Sequence, residues 1–456
     1  MSHIPGFHAP ARWRRLAVLA AAIAVLATPS AMPTATAEPK AGGFMSANVE
    51  WVAHLPVDAP GVGGRVVRLP GQTRFYVTGV KGLSIYDVTD PALPLQIGFL
   101  PLPHWENEDV SVSADGNWVL ISHDGDFQAL PQERVLTYVI DATNPRVPVL
   151  ASTIPMGAHI ATCADDECNT VYGSDGWTWD LTDKRTPKRH LPGWRDVLLQ
   201  QGVRISSSVH DLNRDAAGYF VTDSTPRVMF DPRPNPKFPL VLTTGAVPRA
   251  MNLAYQHNNI RIRADEWQPR VTPEDDADPS LRPGELLLSN GETNFTGQCD
   301  EGSGPFATWS VRDWDKGAPM KPLHVFRPIT GTITDGNAAV NALGCSGHWF
   351  TYRNGIVAAG WYEHGTRFLE VDPATGEISE VGYYQPIVGS TSAVHWIDDE
   401  YAYTVDYGRG IDILRFDRSA PRPDNAELAA SWQRATAKAA SPLAAAERWR
   451  CALAQR

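Results

Sequence analysis

Gly82–Pro91 reads GLSIYDVTDP, an alternating strand that runs into an Asp-x-x-Pro turn. Relatives of this stretch recur along the chain. Arg134–Pro145 reads RVLTYVIDATNP, Gly176–Pro187 GWTWDLTDKRTP and Arg227–Pro236 RVMFDPRPNP. Later come Ala307–Pro319 (ATWSVRDWDKGAP), Thr366–Gly376 (TRFLEVDPATG) and Gly410–Pro421 (GIDILRFDRSAP), which makes seven copies. A fixed unit repeated this often is the mark of a ring or array and not of a chain of unrelated domains.

Each copy follows two shorter strands and, except for the last, precedes one more. In the second unit, Asp109–Ser113, Trp118–Ser122, Val135–Ile140 and Val149–Ile154 are separated by turn residues such as Asp115-Gly116-Asn117. Four short antiparallel strands, seven times over, predict an all-β, seven-bladed β-propeller spanning residues 45–418. The last unit stops after its third strand and would leave an open edge. Asn48–Leu55 (NVEWVAHL) has the pattern of a fourth strand, so the ring is expected to close by pairing it with Gly410–Phe416.

With IYDVTDPALP from Ile85 as its clearest unit, the chain resembles the LVIVD-repeat family of secreted bacterial β-propellers. The resemblance covers roughly residues 45–418 and implies a propeller fold and export. It implies no reaction, because propellers serve as binding platforms and as enzymes. Two places depart from the pattern. Trp267–Glu285 inserts an acidic, Pro-rich loop in the fifth blade, and Leu191–Gln201 stands where the third blade needs its fourth strand.

Outside the repeats, residues 1–37 read as a cleaved signal peptide. Arg12, Arg14 and Arg15 precede the apolar run Leu16–Ala27, and Ala35-Thr36-Ala37 offers an A-x-A cleavage site. The run is too short to span a bilayer. Arg14-Arg15 is also an element of twin-arginine export signals, though its surroundings depart from that pattern. Residues 419–456 form a Pro-rich linker and an Ala-rich tail of helical composition. Removing three arginines and no acids takes the formal charge from −11 to −14. An acidic exported protein is a poor partner for nucleic acid or anionic membrane surfaces. A monomer that does not span the membrane is expected, with a protein, glycan or small molecule as its partner.

Five cysteines are present, in a compartment where disulfides persist. Cys163 and Cys168 flank a turn-forming tetrapeptide and are expected to bond. Cys299 and Cys345 are candidates for a second bridge whose pairing the spacing does not set, and Cys451 lies in the tail.

Aligning the first strand of each unit exposes one recurrent residue. His159, His210, His257, His348 and His395 occupy one repeat position, Glu108 stands there in the second blade, and Asp109 matches Asp211. The first blade offers only Gly64 or Arg65. First strands line the central channel, so these side chains are candidates for a Cu, Fe or Zn site with a coordination position left for substrate or oxygen. Asp109, Asp211 and Glu108 are candidate orienters or bases, Glu108 also as a ligand. The competing role is structural, with one imidazole per blade bonding its neighbour. Two function classes follow: a binding platform using top-face residues such as Trp105, His159, His210, Trp349 and His364, or a metal-dependent oxidase, oxygenase or lyase. The acidic run Glu274, Asp275, Asp276 and Asp278 lacks the spacing of a calcium loop. Serine-nucleophile and nucleotide-binding motifs do not occur.

Overall fold

The structure is a computed structural model that describes residues 43–422 apart from 56–60, 80, 103–109, 124–135, 157, 207–208, 250–255, 293–302, 329–344 and 387–388. The expected leader and tail therefore lie outside the described residues. Seven antiparallel sheets are present, six of four strands and one of five. The seven copies of the repeat are the third strands of their blades, from Gly82–Asp87 in blade 1 to Gly410–Phe416 in blade 7. The first strands touch one another in sequence around the ring, and Thr391–Trp396 of blade 7 meets Gly61–Leu69 of blade 1.

The repeat has a local cause. After each third strand an oxygen-bearing side chain accepts a hydrogen bond from the backbone N–H two residues on, the turn that Asp favours. Asp87 takes Thr89 (3.0 Å), Asp141 takes Thr143 (3.0 Å), Asp180 takes Thr182 (3.0 Å) and Asp231 takes Arg233 (2.9 Å). Asp372 takes Ala374 (2.7 Å) and Asp417 takes Ser419 (2.8 Å). In blade 5, Ser310 replaces the Asp and accepts from Arg312 at 3.2 Å. Outward from each turn, alternating apolar residues of neighbouring blades form shared clusters. Ile85 and Leu83 of blade 1 pack with Val119 and Ile140 of blade 2, for example. Each fully buried aliphatic side chain contributes about 1.5–3 kcal/mol relative to exposure.

The ring closes as expected. Val49–Leu55 pairs with Gly410–Phe416, from Val49 opposite Phe416 to Leu55 opposite Ile411. The joint is also polar: buried Asp412 accepts from Trp51 Nε1 (3.1 Å) and Tyr384 Oη (3.0 Å) and pairs with His54 Nδ1 (2.9 Å) and Arg409 (3.1 Å). Burial alone would raise this carboxyl, but the His54 hydrogen bond and the Arg409 charge outweigh it and hold Asp412 below the usual carboxylate range. A second N-terminal strand, Gly43–Met45, adds to the outer edge of blade 6 opposite Tyr384–Pro386. The repeat pattern does not announce it. Blade 6 has a nine-residue outer strand, Ile378–Pro386, whose edge it covers.

Blade 3 departs from its expected form. Its fourth strand is present as the three residues Lys188–His190, and within Leu191–Gln201 the chain forms a helix, Trp194–Gln200, where a loop was expected. Trp194 anchors that helix: it stacks on Phe230 at 5.7 Å, and its Nε1 donates to the Gly173 carbonyl at 2.8 Å. The blade 5 insertion contains the helix Pro273–Ala277, capped by Thr272 and Asp275. Its acids face cations: Asp275 pairs with Arg282 at 2.6 Å and Asp276 with Lys316 at 2.9 Å. Cys163 and Cys168 are disulfide-bonded. Cys345 is also disulfide-bonded, and Cys299 lies outside the described residues. Among the described residues no helix is long and apolar enough to cross a membrane.

Candidate functional site

Four of the five repeat-position histidines come together. Ring centroids of His159 and His210 lie 4.2 Å apart, those of His210 and His257 4.4 Å, and those of His257 and His348 4.2 Å. They form an arc across blades 3 to 6. His159 and His210 immediately precede the first strands Ala161–Cys163 and Leu212–Arg214, and His348 precedes Phe350–Arg353. That places all three at the same end of the channel.

His257 reaches the arc by a different route. It lies inside the strand Gln256–Arg261, whose register against Leu286–Gly291 shifts between His257 and Asn259. Asn258 is the extra residue of this bulge, with φ of 36°. Bulges re-aim side chains by breaking the two-residue alternation. Here the Asn258 N–H turns to Asp211 Oδ2 (2.8 Å), while its side-chain amide accepts from Asn213 (3.1 Å) and donates to the Phe350 carbonyl (2.8 Å). One bulge residue thereby ties blades 4, 5 and 6 together behind the imidazoles.

Asp211 is the hub of the hydrogen bonding. Its Oδ2 lies 3.1 Å from His210 Nδ1 and 3.2 Å from His257 Nδ1 in addition to the Asn258 N–H. Asp211 Oδ2 accepts from His210, so His210 Nδ1 carries the proton and its Nε2 presents a lone pair on the far side of the ring, while His257 Nδ1 is a close polar contact of the same oxygen and not a hydrogen bond to it. His348 reaches the same state separately, since its Nδ1 lies 2.7 Å from the Ser392 carbonyl, which can only accept. Burial, and next the neighbouring His159, push the His210 pKa down against the opposing pull of Asp211. A neutral imidazole is the ligand form.

Glu292 and Tyr362 complete the cluster. Glu292 directly follows the second strand of blade 5, and its Oε2 lies 3.9 Å from His210 Nε2. Tyr362 Oη donates to Glu292 Oε1. The Tyr362 ring lies 4.8 Å from His348 and 6.2 Å from the Tyr407 ring, which faces His348 at 6.0 Å. Among the described residues, two sets of side chains have ligand atoms mutually within 4.8 Å: His210, Asp211 and His257, and His257, Glu292 and His348. In the first set the Asp211 oxygen already accepts from His210 and the Asn258 N–H, which fits an orienting role better than ligation. The second set, with His210 Nε2 3.9 Å from its Glu292, is the better candidate for a metal.

The remaining sequence candidates sit elsewhere. His395 packs against Phe75, with ring centroids 5.2 Å apart and planes tilted by 55°, in the interface of blades 7 and 1, and burial, then Arg65, push its pKa down to about 3. Its strand pairs Thr391 with Asp406 near the channel mouth and His395 with Tyr403 in mid-blade. Local resemblance of SAVHWID to the other motifs therefore differs from the register by several residues. Trp349 is buried among Phe75, Ala393 and Tyr403, with its ring edge-on to His257 at 6.3 Å. His364 is buried in the turn after the second strand of blade 6, its N–H donating to the Trp361 carbonyl at 2.9 Å. Trp105, Glu108 and Asp109 lie outside the described residues. Sequence reasoning missed Glu292, Tyr362 and Tyr407, which all follow the ends of second strands. Aligning second-strand ends, as was done for first strands, is the signal that would have found them.

The fold and site define a seven-bladed β-propeller with an imidazole and carboxylate cluster at its channel. Among solved structures, the chain is similar to the β-propeller domain of Myceliophteria thermophila Cps50 (Swd1), 13% identical with a TM-score of 0.52 over 80% of this chain and 99% of that one. It is also similar to Kuenenia stuttgartiensis hydrazine synthase, 11% identical with a TM-score of 0.49 over 80% and 97% of the two chains. YCF48 from Cyanidioschyzon merolae is 10% identical, with a TM-score of 0.48 over 81% and 98%. At such identities the likeness concerns the fold alone. No protein-family model and no curated protein matches the chain.

Proposed function

We propose that this is an exported propeller of the LVIVD type that works as a metal-dependent protein, with a transition-metal ion held at the channel mouth by His210, His257 and His348. The observation that carries this reading is the convergence of His257, Glu292 and His348, with His210 Nε2 beside Glu292. His210 and His348 each commit Nδ1 to an acceptor, Asp211 and the Ser392 carbonyl, which leaves the ring lone pair on Nε2. Holding rings in this way raises ligand basicity and fixes their aim.

When bound, such an ion supplies a Lewis-acid or redox centre with positions left for a small molecule or dioxygen, in the manner of oxidases, oxygenases or lyases. The residues of the chain would bind the ion, and Asp211 and the Ser392 carbonyl would orient its His210 and His348 ligands. Export is supported by the leader-like residues 1–37 and by the Cys163–Cys168 bond, which suits an oxidising compartment. The other reading, a metal-free platform for a protein, glycan or small molecule, draws on the fold alone. Elemental analysis of the protein purified from its native compartment separates the two. About one Cu, Fe or Zn per chain is expected, with any associated activity lost on chelation; a metal content near zero would overturn the proposal.

A further inference from the structure

Resting on that metal-centre reading, we infer that Glu292, positioned by Tyr362, is a fourth protein ligand and sets the choice of ion, favouring Fe(II), Co(II) or Zn(II) over Cu(I). The geometry comes first. Two donors of one ion at about 2.0–2.2 Å from it stand roughly 3 to 4 Å apart. Glu292 Oε2 and His210 Nε2 are 3.9 Å apart, and Glu292 has ligand atoms within 4.8 Å of those of His257 and His348.

The carboxylate is also held. The Gly291 N–H donates to the Pro305 carbonyl at 2.8 Å, which fixes the backbone from which Glu292 projects. Tyr362 Oη takes Oε1, so Oε2 is the oxygen turned to His210. Tyr362 itself adopts a left-handed backbone conformation with φ of 43°, uncommon for an aromatic residue. Two backbone hydrogen bonds to Thr391 (3.1 and 2.9 Å) and the Gly365 N–H donating to its carbonyl (3.0 Å) hold it there. Strain of this kind persists only where the surroundings enforce it and gathers at functional sites.

Donor chemistry then selects the ion. Neutral imidazoles with a carboxylate oxygen suit borderline divalent ions, whereas Cu(I) prefers thiolate and thioether sulfur. Neither candidate ligand set contains a cysteine. An imidazole-only site would discriminate less, so Glu292 is the residue on which the preference turns, and Tyr362 is a positioning residue acting through it.

The test uses the full chain stripped of metal by chelator and titrated with Co(II) and, separately under reducing conditions, with Cu(I). Wild type is expected to bind one Co(II) per chain, with the weak visible bands of a nitrogen and oxygen donor set. Glu292→Gln should weaken Co(II) at least about tenfold and leave Cu(I) within about twofold. Tyr362→Phe should shift the visible bands and weaken Co(II) less, and Glu292→Asp should restore part of the affinity, which separates loss of the ligand from loss of the fold. Glu292→Gln with wild-type Co(II) affinity and spectrum would overturn the inference while leaving the metal centre standing. Wild type that takes up no Co(II) would instead count against the metal-centre reading itself.

Discussion

Blades 6 and 7 carry nearly the same words at the same repeat position, CSGHWFT and SAVHWID, and put them to different uses. In blade 6, His348 precedes its strand, bonds through Nδ1 to Ser392 and faces the channel. In blade 7, His395 lies near the end of its strand, in mid-blade, and packs against Phe75 of blade 1. What separates them is displacement along the strand by several residues. The His-Trp pair is a local signal, whereas distance from the axis is set by the hydrogen-bond register of the whole blade. One histidine becomes a candidate ligand and the other becomes filling for a blade interface.

The sharpest way to break this comparison is to remove each imidazole in turn. His257→Ala or His348→Ala should abolish stoichiometric metal, a loss of about a thousandfold or more in affinity, with the fold retained by circular dichroism. His395→Ala should leave metal content unchanged but lower unfolding free energy by about 2–4 kcal/mol in a denaturant titration, because it opens a cavity beside Phe75. If His395→Ala lost metal, the division between the two blades would fall.

A subtler intervention acts on the hub. Asp211→Asn should loosen His210 and the Asn258 bulge beside His257 and weaken metal binding by about 10- to 100-fold without removing a ligand, as measured by competition with a chelator.

The smallest expected effect is one of pH. His395 is neutral in the folded chain down to about pH 3, while in the unfolded chain it protonates near its ordinary value of 6.5. Between those values the unfolded state binds the extra proton, so stability is full above about pH 6.5 and is lost as pH falls toward 3. From pH 6 to 5 the loss is about 1 kcal/mol from this group. His395→Phe should flatten that part of the stability curve, as read by urea melts across the range. An unchanged slope would mean that His395 is not the buried, neutral residue of the comparison.

Much of the fold was legible because its signals are local. The side chain that closes each third strand writes its own turn, whether Asp87 or Ser310, so the blades announce themselves one by one. The joint of Val49–Leu55 with Gly410–Phe416 was readable from an unpaired strand pattern at one end and a missing strand at the other. Gly43–Met45 was not, because it completes no blade. The helix Trp194–Gln200 escaped because its reason to form is the stacking of Trp194 on Phe230, a residue of the next blade.

The chain by itself determined the number of blades, how the ring closes, the Cys163–Cys168 bond and the recurrence of histidine in first strands. These follow from periodicity and turn chemistry, which act over a few residues. Only the tertiary structure decided which histidines meet, that the Asn258 bulge brings His257 among them, that Asp211 holds both His210 and that bulge and that Glu292 and Tyr362 stand opposite. Convergence at the axis is a property of seven registers taken together, and no single repeat contains it.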